Sequence, residues 1–328
     1  MEVRPIGHGG LPVSKLSLGA MTFGLGFTRG TNVDEALAHR LVNRALDAGV
    51  NVIDTAPTYG KGRSEAILGR AVRGRRDEVL LATKVGFAGL GPGALAYNEV
   101  VAACEASLRQ LGVDHIDLYL LHRADRATPL EETVQALEDL VARGLIREFG
   151  ASNFRAWEVA GAMARQRALG RPAFSAVEIY YSLIGRDAEH EILPQCRTDG
   201  LGVLVYSPLA GGLLAGWHDT PGAKGRRVVG ALPQVDPELR RKALTALDLI
   251  ATARGVSMAQ LALAWVMAQP GVTSVIVGAR SVEQLDDSLA AAHLVLEPDE
   301  LTSLDAATAP EPIYPAFVDR QWGFAEPP

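Results

Sequence analysis

The sequence predicts an α/β protein of the (β/α)8 class, a TIM barrel, built as a single domain over residues 1–328 with long loops at the C-terminal face. Three observations predict it. Short apolar, β-branched runs recur eight times, and most are followed by an amphipathic segment with helix start and stop signals. The centres of these runs are nearly continuously hydrophobic, as parallel strands buried on both faces require. The first run leads into LGAMTFGLG, which lacks the Gly-x-Gly-x-x-Gly turn that the rival architecture, an open doubly wound sheet, would place there.

In chain order the expected strands are Leu16–Gly19, Asn51–Asp54, Val79–Lys84, Asp117–His122, Ile146–Ser152, Ser175–Ile179, Gly202–Ser207 and Ser274–Gly278. Between the first two, Thr31 and Asp34 form a capping-box pattern. Leu37, Leu41, Ala45 and Ala48 then line one helical face until Gly49 ends it. After the fourth strand, Thr128, Pro129 and Glu131 read as cap, preset first-turn residue and reciprocal acid. Val134, Leu137 and Val141 form that helix's buried stripe, and Gly144 closes it. The Gly/Pro-rich stretch 216–234 reads as a long loop after the seventh strand, and loops of that length inside a compact domain are commonly functional. The prolines of the tail EPIYPAFVDRQWGFAEPP argue against a helix there. Its Tyr314, Trp322 and Phe324 are expected either to cap the mouth or to pack on the exterior.

Composition narrows the function. Hydrophobic residues make up 48% and charged residues 21%, the balance of a soluble globular protein with a large core. A formal net charge of −6 argues against nucleic acid, which needs a basic face. With only Cys104 and Cys196, a disulfide framework or multi-cysteine metal site is not expected. The first residues lack the layout of a signal peptide, and no apolar run approaches the length of a membrane span. A cytoplasmic setting without a membrane partner is therefore expected.

In a parallel barrel the strand ends at the C-terminal face build the active site. Here the second strand ends at Asp54 with Tyr59 close behind, the third at Lys84 and the fourth at His122. Apolar strands do not need Lys or His at their ends for packing, and burying either charge alone is costly. Singly, each has an ordinary reading: a cap, a loop aromatic, a snorkelling lysine, a structural histidine. Together they converge on one pocket, and their chemistry is specific. A tyrosine with a reference pKa of about 10 is a poor proton donor at neutral pH unless its phenolate is stabilised. A neighbouring ammonium stabilises it, an aspartate keeps the ammonium charged and oriented, and a histidine can direct the substrate oxygen. No metal is expected, because the histidine and carboxylate spacings give no ligand triad.

The segments LGAMTFG (18–24), NVIDTAPTYGKGRSEAILGRAV (51–72), TKVG (83–86), IDLYLLHRAD (116–125), ASNF (151–154), VYSPLAGGLL (205–214) and IVGARSVEQL (276–285) together resemble the aldo-keto reductase family over nearly the whole chain. The resemblance implies NADPH-dependent, reversible reduction of a small aldehyde or ketone to an alcohol. It places the catalytic tetrad on Asp54, Tyr59, Lys84 and His122, with Tyr59 as general acid. It assigns the cofactor site to Gly19, Met21, Thr22 and Asp54; to Ser152, Asn153 and Glu178; to Tyr206, Ser207, Pro208, Leu209 and Gly211; and to Gly278, Arg280, Ser281 and Gln284. Ser152 and Asn153 match the pair that holds the nicotinamide carboxamide, and Tyr206 sits where a ring stacks on the nicotinamide. Arg280 suits the 2′-phosphate that distinguishes NADPH (and NADP+) from NADH, since guanidinium meets phosphate in a bidentate fork.

Three positions depart from the family pattern. Glu178 stands where a glutamine usually contacts the carboxamide; it can accept from the amide nitrogen and donates only when protonated. Trp217 replaces a lysine near the pyrophosphate, for which Lys224, Arg226 or Arg227 in the same loop are substitutes. Ser288 replaces an asparagine near adenine. All three bear on cofactor affinity and NADPH preference. The expected substrate walls are Phe23, Phe27, Phe87 and Trp217, with Arg123 as a candidate recruiter of a carboxylate or hydroxylated substrate. The alternative function is an NADPH-binding regulatory or sensor protein with slow or no turnover, similar to the potassium-channel β subunits of the same fold. A metal-dependent hydrolase using Asp54 and His122 is a second alternative. Substrate, physiological direction and oligomeric state are not legible in the sequence.

Overall fold

The computed structural model describes residues 1–6, 10–24, 33–87, 91–216 and 234–324. An antiparallel hairpin, β1 (Val3–Pro5) and β2 (Pro12–Ser14), precedes the barrel. The barrel strands are β3 (Leu16–Gly19), β4 (Val52–Asp54), β5 (Leu80–Val85), β6 (Ile116–Leu121), β7 (Ile146–Ser152), β8 (Ala176–Tyr180), β9 (Gly202–Tyr206) and β10 (Ser274–Val277). Each pairs in parallel with its neighbour, and β10 returns to β3 to close the ring. The helices are α1 (Glu35–Asp47), α2 (Arg63–Val72), α3 (Tyr97–Leu111), α4 (Leu130–Ala142), α5 (Ala156–Leu169), α6 (Ile192–Asp199), α7 (Pro237–Arg254), α8 (Met258–Ala268), α9 (Val282–Ala290), α10 (Pro298–Thr308) and α11 (Ala316–Trp322). All eight expected barrel strands are present, with ends within two residues of the expected ones. Among the described residues no single helix is long and apolar enough to cross a membrane.

Period-two alternation divides the core into two shells. Val52, Ala82, Leu118, Leu120, Ala176, Leu204 and Ile276 point into the barrel and pack as one cluster. Ile6, Leu11 and Val13 of the hairpin join it and close the N-terminal end. The intervening residues, among them Leu18, Ile53, Leu81, Tyr119, Val177, Val203 and Val275, face outward onto the helices. Burial on both faces is what made the strands read as continuous apolar runs.

Local signals were partly displaced. Asp34, expected as the third residue of a box opened by Thr31, is itself the cap of α1: its backbone is extended and its carboxylate accepts from the Leu37 N–H at 2.8 Å. Thr31 lies outside the described residues. Ala38, Leu41, Val42, Ala45 and Leu46 are buried on that helix, while Leu37 and Ala48 are half-buried at its edge. Thr128 does not cap α4, because its hydroxyl donates to Asp125 and extended Pro129 holds the cap position. Gly144, in the left-handed region at φ 71°, ends that helix as expected, its N–H bonding the Val141 carbonyl.

The tail is a second correction. α11 begins directly after Pro315, where a missing N–H costs nothing because first-turn N–H groups have no helical partner. Tyr314, Trp322 and Phe324 are all at least 70% exposed, so they do not pack on the exterior. The greater part of the loop 216–234, including Trp217, Lys224, Arg226 and Arg227, and also Phe27, lie outside the described residues.

Candidate active site

The alternation that fills the barrel also aims the polar residues. Asp54, Lys84, His122, Ser152, Glu178 and Tyr206 each stand two residues beyond an inward position: Val52, Ala82, Leu120, Gly150, Ala176 and Leu204. They form the last layer of the interior, at the C-terminal mouth. Lys84 is fully buried, and its Nζ donates to Asp54 Oδ1 and to the Thr55 carbonyl oxygen (3.1 Å). Glu178 Oε2 lies 3.2 Å from the same nitrogen without an aligned hydrogen bond. The chain leaving β4 reverses through a short 3-10 turn, with Gly60 and Lys61 both at positive φ. This brings the Tyr59 ring to 5.4 Å from Lys84 Nζ. Tyr59 meets His122 edge to face, ring centroids 6.1 Å apart at 85°. Phe87 covers the other side of His122 at 4.3 Å.

These groups hold definite charges. Burial disfavours the Lys84 ammonium, but Asp54, Glu178 and Tyr59 together outweigh it and raise its pKa, so Lys84 stays charged. Burial, then the positive charges of Lys84 and Arg123, push His122 down to about 2, so its imidazole is neutral at physiological pH. Burial also raises Asp54, opposed by Lys84. Glu178 is pushed up to about 8 by burial and by the adjacent Asp54. The site can therefore place a fixed cation beside a phenol and a neutral imidazole beside both.

A second group of contacts ties the next strand ends together. The Asn153 side-chain amide donates to the His122 carbonyl (2.9 Å) and to Ser152 Oγ (3.0 Å). Tyr206 OH donates to Asn153 Oδ1 at 2.8 Å. Asn153 and Ser207 both have positive φ, and the Ser207 hydroxyl is buried without a hydrogen-bond partner among the described residues. Pro208 is buried, Leu209 half-buried, and Gly211 adopts φ 70°. Gly278 is open to the mouth, close to Gly19. Half-buried Met21 and Thr22 follow Gly19, and Thr22 Oγ1 donates to the Ala279 carbonyl at 3.4 Å. Ser281 caps α9 by accepting from Gln284 N–H, while Gln284 Oε1 accepts from the Arg280 N–H. Arg280 is exposed at the start of α9, where the helix dipole also favours an anion. Ser288 turns back to the Gln284 carbonyl.

These residues fit a dinucleotide with a nicotinamide at the barrel centre. Asn153 and Ser207 at positive φ, a Ser207 hydroxyl and a Glu178 oxygen without hydrogen-bond partners among the described residues, and Arg280 at the capped start of α9 are the features that suit it. Among the expected wall residues, Phe87 reaches the site and Arg123 is exposed beside it. Phe23 is a correction. It is fully buried in the outer shell, and its backbone bridges to Val33. Sequence reasoning missed Tyr180, which is in register with Tyr206 and whose ring lies 6.0 Å from it. It also missed that Glu178 faces Lys84. Counting by twos from Ala176 identifies both positions.

The comparisons agree with this geometry. The model of the aldo/keto reductase family matches residues 15–309. The chain is similar to an uncharacterized oxidoreductase, YrpG, of Bacillus subtilis (strain 168), 38% identical over 93% of this chain and 95% of that protein. It is 34% identical to a probable voltage-gated potassium channel subunit beta of Oryza sativa subsp. japonica, covering 95% of this chain and 98% of the relative. It is 31% identical to the versiconal hemiacetal acetate reductase of Aspergillus parasiticus, covering 96% and 99%. A closed parallel barrel, a family match over nearly its whole length and oxidoreductase relatives lead to one conclusion: the chain is an oxidoreductase of the aldo/keto reductase family.

Proposed function

We propose that the protein reduces small aldehydes and ketones to alcohols with NADPH, reversibly, and that Tyr59 delivers the proton to the carbonyl oxygen. The observation that carries this reading is the buried, charged Lys84 held against the Tyr59 ring by Asp54, with neutral His122 edge-on to the same ring. The bound cofactor supplies the hydride. Lys84 stabilises the phenolate that Tyr59 becomes, which makes the phenol a usable acid near neutral pH. Asp54 keeps Lys84 oriented. His122, being neutral, donates one N–H to the substrate oxygen and fixes its direction. In alcohol oxidation the same Tyr59 oxygen receives the proton.

Ser152, Asn153 and Glu178 hold the carboxamide, Tyr206 stacks on the nicotinamide, and Ser207 to Gly211 line the pyrophosphate path. Arg280 at the capped start of α9 binds the 2′-phosphate and gives the preference for NADPH. Phe87 beside His122 favours an apolar carbonyl substrate. The reading needs no metal, nucleic acid or membrane and suits the cytoplasm. The test is NADPH oxidation by the purified protein against aromatic and aliphatic aldehydes and ketones, with NADH in parallel. Turnover that prefers NADPH supports the proposal. The channel-subunit relatives give the second reading, a cofactor-dependent regulatory protein. Tight NADPH binding with no turnover across the panel would favour it.

A further inference from the structure

Three charged side chains meet in one buried layer, and their charges do not balance. Lys84, Asp54 and Glu178 are each no more than 4% exposed. One ammonium thus faces two carboxyl groups. A single ammonium balances only one of them, so two buried carboxyls against one cation favour holding one proton between the pair. Lys84 has three N–H donors, of which Asp54 Oδ1 and the Thr55 carbonyl take two. Glu178 Oε2 lies 3.2 Å from the same nitrogen but misaligned, and the Tyr59 ring centroid stands 5.4 Å from it.

We propose that Glu178 is a proton-bearing positioning residue, whose carboxyl must stay protonated for Lys84 to turn its third N–H toward Tyr59. Loss of that proton to solvent leaves a second carboxylate on Lys84. It draws the third N–H away and sets a negative charge facing the phenolate, so Tyr59 becomes a poorer acid. The proton resides on Glu178 because Lys84 directs its hydrogen bond to Asp54. The titratable groups facing Glu178 come from β4 (Asp54) and β5 (Lys84), with Tyr59 and His122 beyond Lys84. Its sheet neighbours β7 and β9 present Ser152 and Leu204 in register, neither of which titrates. Burial and the Asp54 charge bring its midpoint to about 8, within reach of ordinary pH.

The proposal rests on Tyr59 as proton donor, so its test has an arm that does not involve turnover. Infrared spectra of the cofactor-free protein, with glutamate carboxyls isotopically labelled, are compared across the midpoint at about pH 8. The label separates Glu178 from Asp54, and E178Q separates it from Glu65, another buried carboxyl whose pKa burial raises. We expect a protonated glutamic-acid band that disappears as pH rises and is missing from E178Q. In the second arm, wild-type carbonyl reduction falls roughly ten-fold one pH unit above the midpoint, while E178Q shows no such fall. An ionised Glu178 at neutral pH overturns the proposal; if E178Q fails to fold, Glu65→Gln assigns the band instead, since a band that belongs to Glu178 survives that substitution and one that vanishes with it overturns the proposal. A titrating band with an unaltered alkaline limb in E178Q also overturns it. Retained turnover in Tyr59→Phe would instead overturn the proton-donor assignment and leave the infrared band unaffected.

Discussion

Replacing Lys84 by methionine removes the charge and keeps most of the side-chain volume, so it isolates the electrostatic part of the mechanism. The ammonium lies 5.4 Å from the Tyr59 ring centroid. At an effective dielectric of about 20, a unit charge at that distance attracts a phenolate by about 3 kcal/mol. That corresponds to about two pKa units on the tyrosine, and to roughly a hundred-fold loss in kcat/KM for reduction at neutral pH. The substitution also leaves Asp54 and Glu178 facing each other without a cation. Breaking a buried pair in this way costs about 3–5 kcal/mol of stability, moderated here because the carboxyls can take up a proton. The assay is steady-state NADPH oxidation with an aldehyde, alongside urea denaturation and NADPH fluorescence to show that the folded site is present. A folded Lys84→Met protein that binds NADPH and reduces the aldehyde within about three-fold of wild type would refute the electrostatic argument.

Further outcomes follow from other positions. His122 stays neutral down to about pH 2, so kcat/KM should be flat from about pH 5 to 7; an inflection near the ordinary histidine value that His122→Gln removes would contradict the neutral assignment. The same depression has a stability consequence: the unfolded chain takes up a proton at His122 below about pH 6.5 and the folded chain does not. Folding should therefore weaken by up to about 1.4 kcal/mol per pH unit on acidification below that point, and His122→Gln should lose that part of the slope in urea melts. Gly69→Ala should destabilise by about 1–3 kcal/mol although alanine is the better helix former, because its Cβ would sit 1.9 Å from the Leu111 carbonyl oxygen where α2 meets α3; a more stable variant would show that the helices separate freely. Arg280→Ala should weaken NADPH binding by about ten-fold or more and NADH binding little, by fluorescence titration; equal losses would remove Arg280 from the phosphate.

The barrel was legible because its strands are buried on both faces and its helices carry period-3.6 stripes; both patterns are local and survive without knowledge of contacts. That Asp54, Tyr59, Lys84 and His122 come together was legible for a related reason. A lysine or histidine ending an apolar strand has no packing rationale, and Asp54, Lys84 and His122 occur on successive strands. The hairpin β1–β2 was not foreseen, although Ile6, Leu11 and Val13 fill the bottom of the barrel, since three-residue strands give too short a period to read. Phe23 was misread because a loop aromatic has no fixed facing; its bridge to Val33 is a tertiary contact. Pro315 was misread as a helix breaker when its position makes it a helix start. Glu178 was recognised as a departure, yet its meeting with Lys84 depends on two non-neighbouring strands, β5 and β8, reaching the same depth across the barrel.

The central claim is that Tyr59 transfers the proton within a site that binds NADPH independently of it. The most direct measurement is NADPH oxidation by Tyr59→Phe with a substrate that the wild type turns over, paired with NADPH binding by fluorescence quenching. The account predicts that turnover disappears while the affinity for NADPH stays within a few-fold of wild type. Carbonyl reduction persisting in Tyr59→Phe at a rate comparable to wild type would contradict it.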